Sequence, residues 1–186
     1  DADALVATNS ADAAGLEQLL AQHPLAHIPA LHFSSPSRAA TPSRSKPFVI
    51  PIGSNIPVAP PPGYAPAAWR AARGVPGDAL LVAYFGLLSP SKGADLLVEA
   101  LGRLTTPWRL LLIGGGATAP QDIAHAAQVR ARIAELGLAD RVIETGHLAP
   151  PEVSAALLAA DLVALPFRDG ASFRRGSLLA TLAHGR

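Results

Sequence analysis

The chain has 186 residues, 49% of them hydrophobic and 16% charged, a balance that builds one core-bearing domain and part of another rather than a disordered tail. Fifteen basic residues against fourteen acidic leave a net charge of +1, so no global field draws the protein onto nucleic acid or an anionic membrane, and any anion binding has to be local. The absence of cysteine excludes disulfides, thiolate nucleophiles and zinc–thiolate sites together. No apolar run approaches the roughly 18 residues that span a bilayer, and no charged-then-apolar leader opens the sequence, so a soluble, cytoplasmic protein is expected. There is also no methionine, the first residues read as the middle of a β-unit, and the last follow a helix pattern closing on Gly185, so the expectation is a fragment of a longer polypeptide.

In chain order, residues 2–8 read as a short strand, and residues 11–22 carry Leu16, Leu19 and Leu20 on one helical face behind Ser10 or Asp12 as N-cap. The stretch 34–47, rich in Ser, Pro and Arg, reads as a solvated loop. Residues 48–51 form a brief strand entering Ile52-Gly53-Ser54-Asn55-Ile56, after which Pro57, Pro60, Pro61 and Pro62 mark a stiff linker or hinge. Beyond it, apolar runs at 80–85, 109–113, 141–145 and 161–165 alternate with helical periodicities at 94–104, 121–136 and 151–160. The runs have strand length and are too continuously apolar to keep a wet face. They predict a parallel sheet covered on both sides, an α/β, Rossmann-like doubly wound fold. Gly137 reads as a helix stop and Pro150-Pro151-Glu152 as a helix start. Asp161 and His184 read as structural.

In such sheets ligands sit at the carboxyl ends of the strands, which singles out the loops 86–93, 114–120, 146–150 and 166–177. The last of these contains Gly170, Arg174 and Arg175 and feeds a Leu/Ala-rich helix, so it aims backbone N–H groups and two guanidiniums at one point. Cations at a helix N-terminus oppose the helix dipole unless an anion sits there. Lys92 and Gly93 in the first loop supply a companion, and the two loops together predict a diphosphate clamp. Gly114-Gly115-Gly116-Ala117-Thr118-Ala119 fits a dinucleotide fingerprint only superficially, because that fingerprint needs an acid about 20 residues on and Glu144 lies 30 residues beyond Gly114. The glycines read instead as room for a tight turn and close packing. Glu144 at a strand tip and His147 after Gly146 are candidates to face a ligand. The six histidines show no metal-ligand spacing, so no metal is expected, and no G-x-S-x-G elbow points to a serine hydrolase.

The order IPIGSNI, YFGLLSPSKGADLLVEAL, RLLLIGGG, ELGLADRVIETGHLAPPEVSAALLAADLVALPF and, after a loop, LLATLAHG resembles the retaining glycosyltransferases of the GT-B type, family 4, from about Phe48 to the end. The resemblance implies a nucleotide-sugar-binding domain over 77–186 that is incomplete at its C-terminal end, a Pro-rich linker over 57–76 and, over 1–56, the tail of an acceptor domain with a hinge strand. It implies transfer of a sugar, of the hexosyltransferase type, from a nucleotide-diphosphate donor with retention of configuration. The acceptor would be a glycan, a lipid or a small molecule, and the nucleotide sugar a co-substrate with no further cofactor and no nucleic acid. The fragment by itself is expected to be inactive.

Within the family a G-R-x4-K-G pattern supplies a basic pair for the donor diphosphate. This sequence keeps Lys92 and Gly93 and places Leu87 where the arginine stands. The family's E-x7-E pair falls on Ser172 and Ala180, so neither carboxylate is present. The resemblance assigns Lys92 to the donor diphosphate, and Arg174 and Arg175 are expected there as replacements for the charge lost at position 87; Ser172, Gly86, Gly115, Glu144 and His147 are candidates for the donor sugar or nucleotide, and the catalytic residue is unassigned. The missing glutamates keep open a second reading, a non-catalytic nucleotide-binding or scaffold module of glycan assembly.

Overall fold

The computed structural model describes residues 52–117 and 119–186, together with Val6–Ala7, Ala14, Gln18 and Phe48–Val49. The chain divides into two compact units, 1–52 and 53–186. In the first, strands β1 (Val6–Ala7) and β2 (Phe48–Val49) pair in parallel, Val6 opposite Phe48. Ala14 and Gln18 are helical and exposed, as the amphipathic pattern over 11–22 predicts. The Ser/Pro/Arg stretch at 34–47 lies outside the described residues.

The second unit runs α1 (Pro66–Ala71), β3 (Leu80–Phe85), a 3-10 turn (Pro90–Lys92), α2 (Ala94–Leu101), β4 (Trp108–Ile113), α3 (Pro120–Glu135), a second 3-10 turn (Ala139–Arg141), β5 (Val142–Glu144), α4 (Pro150–Ala159), β6 (Leu162–Val163) and α5 (Gly176–Ala183). The four strands form one parallel sheet in the order β5-β4-β3-β6. Alternation along each strand sends neighbouring side chains to opposite faces. Val82, Tyr84, Trp108, Leu110 and Leu112 pack under α2 and α3, while Leu81, Ala83, Leu111 and Ile113 pack with α4 and Ala180 of α5. Both faces are covered, so the strands carry no polar side, as their continuous apolar runs predict. Three helices begin on proline, where the missing N–H is no loss. Helix α3 ends in a Schellman motif at Gly137, φ 65°, with the Leu138 N–H donating to the Ile133 carbonyl at 2.9 Å.

The residues read as a linker, 57–76, are built into this unit. They contain α1, which the sequence reading missed because its six residues show no apolar periodicity and bury no side chain fully. Polar ties fasten the segment to α4. The Tyr64 hydroxyl donates to the Ala155 carbonyl at 2.8 Å, and the Ala59 N–H donates to Ser154 Oγ at 3.1 Å. That buried serine in turn donates to His184 Nε2 at 2.9 Å, while His184 Nδ1–H donates to the Ala180 carbonyl at 2.7 Å. His184 is thus structural, as expected, with both ring nitrogens satisfied and the tautomer set by the carbonyl.

Asp161, also expected to be structural, closes the opposite end of the sheet. Its carboxylate accepts two bonds from Arg70 of α1, at 2.8 and 2.9 Å, and one from the Leu81 N–H at 2.7 Å. Partial burial pushes this carboxyl up, but the Leu81 N–H and the Arg70 guanidinium together outweigh burial and hold it below the ordinary aspartate range. A carboxyl depressed in the folded state contributes stability that is present above its unfolded pKa, near 3.9, and is lost as pH falls through the lower folded value. With the side chain 42% exposed, the effect is discounted for solvent screening, and Asp161→Asn is expected to cost about 1–2 kcal/mol near neutral pH. Thermal melts of parent and variant from neutral pH down to about pH 3 check this; the gap has to shrink as the solution becomes acid.

Candidate functional site

The sheet order places β6 on one side of β3 and β4 on the other, so the chain changes direction across the sheet at β3. The carboxyl ends of β3 and β6 therefore flank a topological switch point, where loops diverge and leave a crevice. The loops leaving these two strands, 86–93 and 164–175, are the two that carry Lys92 and the arginine pair.

Three contacts lock these loops together. Gly93 adopts the left-handed conformation, φ 69°, and a Cβ built there would lie 2.2 Å from the Pro166 carbonyl oxygen, so only glycine admits this approach. The Arg168 N–H donates to the Ser91 carbonyl at 2.9 Å, and the Arg168 guanidinium forms an ion pair with Asp95 in the first turn of α2. A third loop abuts them: the Gly86 N–H donates to the Ile113 carbonyl at 3.0 Å, and Gly114 sits close enough to Gly86 that a Cβ would fall 3.1 Å from its carbonyl oxygen. Of the glycines at 114–116, Gly114 therefore serves loop-to-loop packing and a short bridge to Gly146, while Gly115 and Gly116 meet nothing within 4 Å.

Lys92 reaches over Gly86, with Nζ 2.8 Å from where a Cβ would be. Burial and the neighbouring Arg175 lower the Lys92 ammonium below the ordinary lysine range, with Asp122 of α3 partly offsetting them. Two cations from different loops are thus held within electrostatic reach of each other. Arg175 is the residue that caps α5, which carries no acid in its first turn. Its guanidinium lies 4.7 Å from the Phe167 ring centroid and pairs with Asp169. Arg174, next to it, is exposed on the same turn, and so is Ser172, whose carbonyl accepts the Arg175 N–H at 3.0 Å. Leu87 is exposed at the mouth of the first loop, its carbonyl taking the Tyr84 hydroxyl at 2.8 Å. Burial first, and Asp95 second, push that phenol well above its usual range.

The site thus gathers Lys92, Gly86, Arg174, Arg175 and Ser172 on the two loops at the switch point, with Gly115 on the adjoining loop, where no atom lies within 4 Å of a would-be Cβ. Glu144 and His147 are not brought in. Glu144 ends the edge strand β5, and its carboxylate is taken by Arg130 of α3 through bonds of 2.8 and 3.0 Å. His147 is exposed beyond β5, next to Gly146, which bridges to Gly114 of the adjoining loop, and among the described residues no hydrogen bond or ion pair ties its ring to Lys92 or Arg175. Sequence reasoning passed over Phe167, Arg168 and Asp169. The turn tripeptide Arg168-Asp169-Gly170 was their available signal. An open groove of about 280 Å³ elsewhere, lined by Pro61, Tyr64 and Trp69, is partly filled by Arg73, whose guanidinium stacks 3.8 Å from the Trp69 ring centroid.

Comparison with known proteins agrees with this architecture. Over 132 residues the chain is 36% identical to the D-inositol 3-phosphate glycosyltransferase of Kineococcus radiotolerans, a match covering 66% of this chain and 29% of that protein. The enzyme of the same name from Mycobacteroides abscessus is 39% identical over 100 residues, covering 54% of this chain and 22% of its own length. The chain therefore spans less than a third of the length of these relatives. Among solved structures, Anabaena HepE in complex with UDP and glucose superposes with a TM-score of 0.71 at 21% identity, over 100% of this chain and 43% of that one. Sucrose-phosphate synthase from Thermosynechococcus elongatus does so with a TM-score of 0.61 at 23% identity, over 90% of this chain and 35% of that one. At these identities the superpositions establish the fold, the Rossmann-like sheet of GT-B glycosyltransferases. Among the described residues no helix is long and apolar enough to cross a membrane. The family of glycosyl transferases group 1 matches residues 67–173, more than half of the chain and all of the four-stranded sheet, ending just before Arg174 and Arg175, and the chain belongs to that family.

Proposed function

We propose that the protein of which this chain is a part transfers a sugar from a nucleotide-diphosphate donor to a hydroxyl of a glycan, lipid or small molecule, with retention of configuration. In this reading the donor diphosphate lies at the β3/β6 switch point on Lys92, Arg174 and Arg175, with Gly86, Gly115 and Ser172 nearest the nucleotide or sugar. One observation carries it: Lys92 of the first loop feels the charge of Arg175, which stands on a separate loop as the N-cap residue of a helix with no acid in its first turn. Such an arrangement is electrostatically unfavourable alone and favourable around an anion.

As the glycosyl–phosphate bond breaks, negative charge grows on the departing diphosphate while the sugar becomes oxocarbenium-like. Cations and N–H dipoles already in place stabilise that charge without reorganisation at the moment of reaction. Three side-chain cations and the α5 N-terminus supply what a divalent metal would, so the reading includes independence from metal. UDP is the first nucleotide to test, because HepE, which shares the fold, has been seen with UDP and with UDP-glucose. Calorimetric titration of UDP and GDP into the complete protein in EDTA tests it: saturable binding is expected, and binding that appears only with added divalent metal sinks the metal-independent clamp.

The scaffold reading has its own observation. Ala180, at the place of the family's second glutamate, is fully buried among Leu81, Ala83 and Leu157, and Ser172, at the first, is an exposed loop residue. A protein that binds nucleotide diphosphate and neither transfers nor hydrolyses any nucleotide sugar would favour it over the enzyme.

A further inference from the structure

The loop between β6 and α5 folds back on itself in two tight turns. The first closes with the Gly170 N–H on the Phe167 carbonyl at 3.3 Å, Gly170 having φ 85°, and the second closes with the Arg175 N–H on the Ser172 carbonyl at 3.0 Å. Asp169 sits on the first turn and pairs with Arg175 at the end of the second. The first turn is anchored independently of that pair, because the neighbouring Arg168 is tied by its N–H to Ser91 and by its guanidinium to Asp95. Asp169 is therefore delivered to Arg175 by a turn with its own moorings. The two partners differ in setting: the Arg175 side chain is 21% exposed and rests on Phe167, whereas that of Asp169 is 54% exposed.

Lys92 and Arg175 repel one another, and two carboxylates offset them, Asp122 and Asp169. Asp122 has a second reason for its place, since it lies in the first turn of α3, where the dipole favours an acid. Asp169 has no helix to favour it and faces solvent. A guanidinium makes the same forked, charge-assisted bonds with a carboxylate as with a phosphate. We propose that Asp169 is an exchangeable counter-ion of the donor site: it holds Arg175 in position and yields the guanidinium to the diphosphate when a donor binds. The inference rests on the diphosphate reading of the site given above. A diphosphate carries more charge than one carboxylate and also engages Lys92, so it wins the exchange. The competition weakens diphosphate binding, and so hastens departure of the nucleotide diphosphate after transfer.

The test uses the complete protein and its Asp169→Asn, Asp169→Glu, Arg175→Ala, Lys92→Ala and Arg174→Ala variants, titrated with UDP. Asp169→Asn keeps the size and removes the charge, and it is expected to bind UDP roughly two- to fivefold tighter, the range set by a solvent-exposed ion pair. Asp169→Glu is expected to bind as the parent does. Under turnover, product inhibition by UDP should strengthen in the Asn variant by the same factor, a change that a merely structural role would not produce. UDP binding by Asp169→Asn that is equal to or weaker than the parent's overturns the proposal. So does a crystal structure of the UDP-bound parent in which the Asp169–Arg175 pair persists, a measurement that decides the matter even if the variant fails to fold. The two readings fail separately: if Arg175→Ala, Lys92→Ala and Arg174→Ala all bind UDP as the parent does, the donor-site reading itself falls, and if Arg175→Ala weakens binding while Asp169→Asn does not strengthen it, the counter-ion role alone falls.

Discussion

Replacing Arg175 by alanine in the complete protein is expected to weaken UDP binding roughly tenfold to a hundredfold, because each charge-assisted bond to a phosphate is worth about 1.5–3 kcal/mol. Lys92→Ala is expected to act on the same scale, and Arg174→Ala to lose roughly tenfold. Arg175→Lys recovers only part of the loss, since an ammonium restores charge without the planar fork that grips adjacent oxygens. None of these changes should unfold the protein. Arg175 leaves behind an exposed Asp169, and removing Lys92 relieves an ammonium disfavoured by burial and by a like charge. The Lys92 environment also gives the binding a pH signature. Its pKa is lowered in the folded protein, so diphosphate affinity should be full below that value and decline as pH rises through it, earlier than an ordinary lysine would allow. Titrations of UDP over an alkaline pH series check the sign. If all three alanine variants bind UDP as the parent does, the proposed clamp is wrong.

The second large effect is expected at Gly93. Alanine there meets two obstacles at once, a left-handed φ of 69° and a Cβ placed 2.2 Å from the backbone oxygen of Pro166. The first costs about 1–2 kcal/mol, and the second can be relieved only by moving one loop off the other, so the sum should reach about 3 kcal/mol or more. Gly137 provides the control. It has nearly the same φ, 65°, with nothing within 4 Å of a would-be Cβ, and Gly137→Ala should cost only the conformational part, about 1–2 kcal/mol. Denaturant melts of the two variants separate the contributions. Nucleotide binding should fall in Gly93→Ala even where it remains folded, because the loop carrying Lys92 no longer meets the loop carrying Arg175. Equal stability losses in the two variants would show that the Gly93–Pro166 approach is not what joins these loops.

The sequence by itself determined the fold class and most of the elements of the second unit. Strands such as LLVAYF and WRLLLI are buried on both faces, so their continuous apolar runs are a physical requirement of a doubly wound parallel sheet. Pro150 and Gly137 marked helix ends because their backbone constraints act locally. Lys92, Arg174 and Arg175 were legible for a similar reason: cations in strand-to-helix turns are locally anomalous against the helix dipole. What only the tertiary structure decided is which loops meet. Nothing in the chain order says that β6 returns to lie beside β3, a pairing between residues 80 positions apart, and it is this pairing that sets Pro166 against Gly93 and brings Arg175 near Lys92. The same sheet order leaves Glu144 on the far edge, where Arg130 takes its carboxylate. Asp169 was invisible for a related reason, since a carboxylate in a turn reads as solvated until the fold shows which cation it faces. Local chemistry is written in neighbouring residues, but the partners of a charge are chosen by sheet order, which depends on the packing of the whole core.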